Sequence, residues 1–140
     1  MFEQVLVAVD GSDHSFHAAK VAGEIATCMK SKVLRIVVAY DPIPPYLGEP
    51  NMEQVIERRV KEAQTVLDMA QEAIGKIPSE IRTELIEGSA AEAILRVAQT
   101  HNSDLIVMGS RGLGTLAELV LGSTSHKVVS HATCPVLIVR

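Results

Sequence analysis

The apolar residues of this chain follow two different periods along its length. Five short segments are apolar or rich in β-branched residues and are bounded by Gly, Pro, Asp or Ser, which is typical of strands. They are residues 5–9, 32–40, 81–87, 105–108 and 135–139. Four longer segments repeat their apolar residues every three or four positions, as one face of a helix does. They span about 13–29, 52–76, 90–100 and 123–132, so that strands and helices alternate.

Several of these elements carry boundary signals. Ser12 or Asp13 is placed to cap the first helix. Ser89 and Glu92 have the spacing of a capping box, in which each side chain satisfies a backbone donor of the other residue. Residues 41–50 hold four prolines, and this density predicts a loop between the second strand and the second helix.

The alternation of strands and helices predicts an α/β fold with a doubly wound parallel sheet. Parallel strands need crossover connections, which are right-handed, so helices cover both faces of the sheet. We expect five strands in the order 3-2-1-4-5, with residues 81–87, which mix charged and apolar side chains, at an edge. Ligands of such sheets bind beyond the carboxyl ends of the strands, where the strand order reverses. The loops at 10–12 and 109–122 should therefore face each other across one crevice.

Composition narrows the class of protein. Residues 1–140 have the length of one domain, and 47% hydrophobic with 21% charged residues predicts a globular one. A net charge of −4 and an aromatic content of 3% argue against nucleic acid as a partner. We see no signal-peptide pattern and no apolar run long enough for a membrane span. Cys28 and Cys134 fit reduced thiols, so we expect a cytoplasmic protein.

The segment from 104 to 125 has the chemistry of an anion site. Gly109, Ser110 and Gly112 open a Gly/Ser-rich loop that leads from a buried strand to the start of a helix. Glycines let the backbone approach a ligand closely, and the first N–H groups of a helix lack partners and carry partial positive charge. We expect this loop to hold a nucleotide's phosphates, and Asp10 to accept hydrogen bonds from ribose hydroxyls. The competing interpretations are a helix-capping Asp and glycines that only make a tight turn.

Few features of the sequence indicate catalysis. The sequence has neither G-x-G-x-x-G in its first strand–helix turn, which argues against NAD or FAD, nor the G-x-x-x-x-G-K-[ST] lysine of phosphoryl transfer. The five histidines form no metal-binding pattern, and we interpret His14 and His17 as surface or capping residues. Arg111 and Glu118 are interpreted as solvated charges, with a role in orienting a water or a terminal phosphate as the alternative. At most slow hydrolysis of a bound nucleotide is expected.

The glycine spacing in this loop resembles that of a known family. The pattern G-2x-G-9x-G-[S/T] runs from Gly109 to Ser123, and it is similar to the ATP-binding branch of the universal stress protein family. The resemblance covers the whole chain, and its other pieces are residues 7–12, 103–109 and 131–139.

The resemblance implies a Rossmann-like or flavodoxin-like fold with an ATP site. It implies that Asp10 binds the ribose, that Val9 borders the base and that the backbone of Ala39 bonds the adenine edge. The phosphates would lie against residues 108–112 and 122–125, often with Mg²⁺ or Mn²⁺ bridging their oxygens. The implied nucleotide-binding residues are Val9, Asp10, Gly11, Ser12, Ala39, Met108, Gly109, Ser110, Arg111, Gly112, Gly122, Ser123, Thr124 and Ser125.

The resemblance also implies a homodimer formed through the last strand. Residues 135–139, with Pro135 at the first position, form an apolar strand that the topology leaves at an edge, and pairing with a second copy would cover it. Two functions remain open. One is a nucleotide-dependent stress-response module that regulates an unknown partner protein, and the other is an enzyme, an ATPase or a phosphoryl or adenylyl transferase, built on the same site. Stable bound ATP would favour the module, and repeated turnover would favour the enzyme.

Overall fold

The computed structural model describes residues 1–42, 48, 51–110 and 121–140, and its elements alternate as the hydrophobic pattern predicts. The strands are β1 (Gln4–Ala8), β2 (Val33–Tyr40), β3 (Glu80–Glu87), β4 (Leu105–Gly109) and β5 (Val136–Val139). The helices are α1 (Asp13–Cys28), α2 (Asn51–Ile74), α3 (Ala90–Thr100) and α4 (Ser123–His131). The bounds differ from the predicted ones by one or two residues, which is the usual uncertainty of element ends.

The strands form one parallel sheet in the order β3-β2-β1-β4-β5, which confirms the predicted topology. β1 lies at the centre, with Val7 opposite Ile36 of β2 on one side and opposite Val107 of β4 on the other. The chain first extends the sheet from β1 through β2 to β3, and then returns to place β4 on the other side of β1. The strand order therefore reverses between β1 and β4.

Each face of the sheet is covered by two helices. α1 and α2 pack over one face, which includes the fully buried Val7 and Ile36. α3 and α4 pack over the other, which includes the fully buried Leu6 and Ile106. Successive strand residues point to opposite faces, so a central strand with helices on both sides must be apolar at every position. This explains the unbroken apolar runs in β1 and β4.

The structure confirms the predicted cap of α1 and contradicts the predicted capping box of α3. Ser12 caps α1, with its Oγ accepting a hydrogen bond from the Ser15 N–H at 3.2 Å. The predicted capping box of α3 is wrong, because the Ser89 side chain makes no cap hydrogen bond. The Glu92 carboxylate instead lies 3.5 Å from the Lys127 ammonium group of α4. A partner on a neighbouring helix, which the local sequence does not reveal, has replaced the local one.

The remaining predictions about the chain concern its edge, its loop and its thiols. β3 is a half-exposed edge strand, as predicted. Cys28 and Cys134 are free thiols, and burial, together with the nearby Asp104 carboxylate, raises the pKa of the Cys134 thiol. Most of the proline-rich loop, residues 43–47 and 49–50, lies outside the described residues. Within the described ranges, no helix has both the length and the apolar character that crossing a membrane requires.

Candidate functional site

The carboxyl ends of β1, β2 and β4 lie side by side at one edge of the sheet. The segments that follow β1 and β4 are in direct contact there, because His14 Nδ1 lies 2.9 Å from Ser110 Oγ. This contact lies at the reversal of strand order, where a doubly wound sheet opens a crevice for a ligand. The described parts of the two predicted loops therefore converge.

Asp10 is held in a fixed position by the turn that precedes α1. Its Oδ1 accepts hydrogen bonds from the Ser12 N–H at 2.9 Å and from the Ser12 hydroxyl at 2.6 Å. Gly11 makes this turn with a φ of +92°, a conformation that other residues rarely adopt. Ser12 is the residue that caps α1, and the exposed Asp10 carboxylate has no described partner at Oδ2. One oxygen therefore orients the side chain, and the other is open to a ligand.

No described residue bonds the backbone of Ala39 on the side that faces β1. The Val37 carbonyl accepts a hydrogen bond from the Val9 N–H at 3.0 Å, so the polar groups of Val37 point towards β1. Backbone groups alternate between the two sides of a strand, and the Tyr40 carbonyl accordingly accepts from the Gly88 N–H at 2.8 Å on the β3 side. Ala39 points the same way as Val37, but β1 ends before this level. Its N–H and carbonyl are thus free of β1 and available to a planar ligand edge.

The end of β4 is packed tightly against α1. A Cβ on Gly109 would lie 2.9 Å from both the carbonyl carbon and the Cβ of His14, so only glycine fits without a shift of the helix. Ser110 is 3% exposed, and its N–H donates to the Val139 carbonyl at 2.8 Å. The Ser110 N–H is therefore already bonded within the protein. Gly109 allows α1 to pack closely against β4, whether or not a ligand also approaches its backbone.

The start of α4 has donors that make no bond within the helix. The Ser110 carbonyl accepts from the Gly122 N–H at 2.7 Å and from the Ser125 hydroxyl at 3.1 Å, which fastens this helix end to β4. Gly122 is the N-cap, and no side chain caps the helix. The N–H groups of Ser123, Thr124 and Ser125 therefore have no partner within α4. Together with the Ser123 and Thr124 hydroxyls, they are the groups that can bind an anion.

The other predicted binding residues divide into buried and undescribed ones. Val9 and Met108 are 4% and 5% exposed, so they belong to the core beneath the candidate site. Arg111 and Gly112 lie outside the described residues. Nowhere in the described ranges do three or more His, Cys, Asp or Glu side chains come together as a metal site.

His14 is the residue at this edge that the sequence analysis did not assign to the site. It was interpreted as a surface or capping residue, yet it is half-buried and bonded to Ser110. His17, one turn further along α1, has its Nδ1 2.8 Å from the Arg140 carbonyl oxygen at the end of β5. The only signal in the sequence was the position of His14 just after a helix cap, and the packing of α1 on β4 decided its partner.

Comparison with known proteins agrees with this fold along the whole chain. The model of the Universal stress protein family matches residues 1–140. The "Universal stress protein in QAH/OAS sulfhydrylase 3'region" of Thermus aquaticus is 48% identical over 140 residues, which are 100% of each chain. The structure of universal stress protein UspA from Lactobacillus plantarum superposes with a TM-score of 0.86 at 26% identity, covering 99% of this chain and 98% of that one. A universal stress protein in complex with cAMP superposes with a TM-score of 0.68 at 32% identity, covering 99% and 97%. The chain therefore belongs to the universal stress protein family.

Proposed function

We propose that this universal stress protein is a homodimeric regulatory module that binds an adenine nucleotide, with ATP as its working ligand. The observation that carries the proposal is the set of open groups at one sheet edge: Asp10 Oδ2, the Ala39 backbone and the first N–H groups of α4. They suit, respectively, a ribose hydroxyl, the adenine edge and phosphate oxygens. The related structure in complex with cAMP supports an adenine nucleotide as the ligand class.

The preference for ATP rests on the phosphate side of the site. The glycine spacing that begins at Gly109 is similar to that of the ATP-binding branch of the family. The start of α4 offers three N–H groups and two hydroxyls as donors for phosphate oxygens.

A divalent ion would enter this site with the nucleotide. No group of metal-binding side chains occurs in the described ranges, and Mg²⁺ commonly keeps several waters while it binds phosphate oxygens. The described residues thus fit an ion that is held by the phosphates and by waters. The ion would neutralise phosphate charge.

Regulation by bound ATP is favoured over enzymatic turnover because the chain lacks a P-loop lysine. The distinguishing experiment is to incubate purified protein with ATP and Mg²⁺ or Mn²⁺ and to follow the product for hours. Bound ATP that persists agrees with the module, and many turnovers per site would require an enzyme instead.

A second copy of the chain is the partner proposed for β5. This edge strand exposes Leu137 to 37%, and unpaired backbone groups along an edge invite another strand. A cleft of about 550 Å³ adjoins it, with mostly apolar walls. Its lining includes Phe2, Val21, Ile25, Met29, Leu105 and Val136. Pairing of two β5 strands about a two-fold axis would cover both features.

The nucleotide site is tested by Gly122→Val. Gly122 has φ −69° and ψ 166°, which valine adopts readily, so the fold should be retained. The added side chain would stand where phosphates approach the first turn of α4. We expect ATP affinity to fall at least roughly tenfold, which corresponds to about 1.4 kcal/mol, in isothermal calorimetry.

A matched control is Ser130→Val, which adds the same side chain to the exposed surface of the same helix, away from its first turn. It should bind ATP as the wild type does. If the Gly122→Val protein is folded and binds ATP with unchanged affinity, the phosphates do not lie at this helix end.

A further inference from the structure

His14 and Ser110 form a polar pair at the edge where the nucleotide is proposed to bind. His14 is the second residue of α1, Ser110 directly follows β4, and His14 Nδ1 lies 2.9 Å from Ser110 Oγ. Because Gly109 has no side chain, α1 comes close enough for this contact. The pair therefore joins the start of α1, which follows the Asp10 turn, to the segment that follows β4.

The surroundings of Ser110 decide which nitrogen of the neutral imidazole carries the proton. Ser110 is 3% exposed, and among the described residues His14 Nδ1 is the one acceptor within reach of its hydroxyl. A buried hydroxyl donates its hydrogen where an acceptor is available. Nδ1 of the neutral ring therefore accepts, and the proton lies on Nε2.

The Nε2 atom is the part of His14 that is left for a ligand. The side chain is half-buried, and no described residue bonds Nε2. In the neutral ring, Nε2–H is an uncharged donor. When the ring gains a second proton, Nδ1 donates to Ser110 Oγ, Nε2 still donates, and the ring carries a positive charge. Because a phosphate is anionic in either case, the protonated ring adds a direct charge–charge attraction to this hydrogen bond.

We propose that His14 contacts the phosphates of the bound nucleotide through Nε2, and that protonation of its ring tightens this binding as the pH falls. The inference rests on the proposed nucleotide site. Histidine is the side chain whose charge ordinarily changes between about pH 5 and 8. By linkage, ATP that prefers the protonated ring also draws protons into the protein when it binds.

Other ionisable groups lie on the elements that meet this end of α1. They are Asp10 in the preceding turn, Asp13 and His17 on the helix, Arg59 and Glu62 on α2, which packs against the turn at Gly11, and Arg140 after β5, whereas the end of β4 brings the uncharged Gly109 and Ser110. Carboxylates and guanidinium groups ordinarily keep their charge between about pH 5.5 and 8. His17 is therefore the neighbour whose titration has to be separated from that of His14.

The test measures the ATP affinity of the full chain at about pH 5.5 and pH 8 for the wild type, His14→Gln and His17→Gln, without divalent metal. Glutamine keeps an uncharged N–H donor and cannot gain a proton. We expect the wild type to bind about tenfold more tightly than His14→Gln at the lower pH, and the two affinities to converge as the pH rises. His17→Gln should keep the pH dependence of the wild type, since His17 bonds the Arg140 carbonyl instead.

Two further measurements isolate the phosphate contact. Adenosine, which has no phosphate, should show no affinity difference between the wild type and His14→Gln at either pH. Calorimetry in two buffers of different ionisation enthalpy should detect proton uptake on ATP binding by the wild type near pH 7, and less uptake by His14→Gln.

The outcomes separate this inference from the proposed function. A pH dependence of ATP binding that is as large in His14→Gln as in the wild type, or that is reduced equally in His17→Gln, overturns the role of His14 and leaves the nucleotide site standing. A wild-type protein that binds ATP at neither pH overturns the proposed function and this inference with it.

Discussion

Single residues at the site divide their polar groups between the fold and the ligand. Ser110 uses its N–H for β5 and its carbonyl for α4. Asp10 uses Oδ1 for the turn and leaves Oδ2 open. Gly109 has no Cβ, and this allows α1 to lie against β4. Glycine in this loop therefore has a packing role that does not depend on phosphate.

The packing role predicts that Gly109→Ala destabilises the protein even without nucleotide. The new Cβ would lie 2.9 Å from the His14 carbonyl carbon, and a helix backbone cannot move aside as a flexible side chain can. We expect a loss of about 1–3 kcal/mol in the free energy of unfolding, measured by urea denaturation.

Gly48→Ala is the control for this substitution, since a Cβ there has no atom within 4 Å. It should change the free energy of unfolding by no more than about 0.5 kcal/mol. Equal stability of Gly109→Ala and the wild type would show that α1 does not rest on Gly109 as described.

At the scale of the elements, the buried charge of Arg35 links β2 to β3 and to the end of α3. Arg35 is 6% exposed, and its Nη1 lies 3.1 Å from Glu84 Oε1 on β3. The same oxygen lies 2.9 Å from His101 Nε2, just after α3. A slip of β3 by one residue would turn Glu84 to the opposite face and leave the arginine without this partner. The ion pair therefore helps to set the register of β3 on β2.

This role predicts a large effect of Glu84→Gln on stability. The substitution keeps the size of the side chain and removes the charge that compensates the buried Arg35 guanidinium. We expect the free energy of unfolding to fall by roughly 2 to 3 kcal/mol in urea denaturation.

The matched control is Glu80→Gln, on the same strand and the same face. The Glu80 side chain is 58% exposed and pairs with the exposed Arg82, so its loss should cost under about 1 kcal/mol. If both variants lose the same small amount, the Arg35–Glu84 pair does not stabilise the fold.

At the scale of the whole molecule, the site is assembled from segments that are far apart in sequence. His14 and Ser110 are 96 residues apart and touch because β1 and β4 are neighbours in the sheet. β5 lies beyond β4 at the outer edge, with Leu137 exposed. The edge strand and the proposed nucleotide site are thus connected through one strand, β4.

The proposed dimer predicts that Leu137→Lys yields a monomer. A lysine on the exposed side of β5 would place a charge in the apolar interface, where its desolvation opposes association. Light scattering at micromolar concentration should report a dimer for the wild type and a monomer for the variant.

Met69→Lys is the control, because Met69 is 48% exposed on α2, which packs over β2 and β3 at the other end of the sheet. This variant should remain a dimer. A monomeric mass for the wild type itself would contradict the proposed interface.

The order of elements and the general place of the site follow from the sequence by itself. Because strands 5–9 and 105–108 are buried on both faces, all their residues are apolar. Helices are recognised by apolar residues that recur every three or four positions. Both patterns can be read from a short stretch of sequence. The wound order then places the loops after β1 and β4 together, which predicted the convergence of Asp10 with the segment after Gly109.

Only the tertiary structure decided which partners the polar groups take. Glu92 bonds Lys127 of α4 instead of its own helix start, Arg35 is buried against Glu84, and His14 meets Ser110. In each case the partner lies on another element, at a distance set by how helices and strands pack. Local sequence shows which groups are available to bond, whereas packing determines which of them come within hydrogen-bonding or ion-pairing distance of each other.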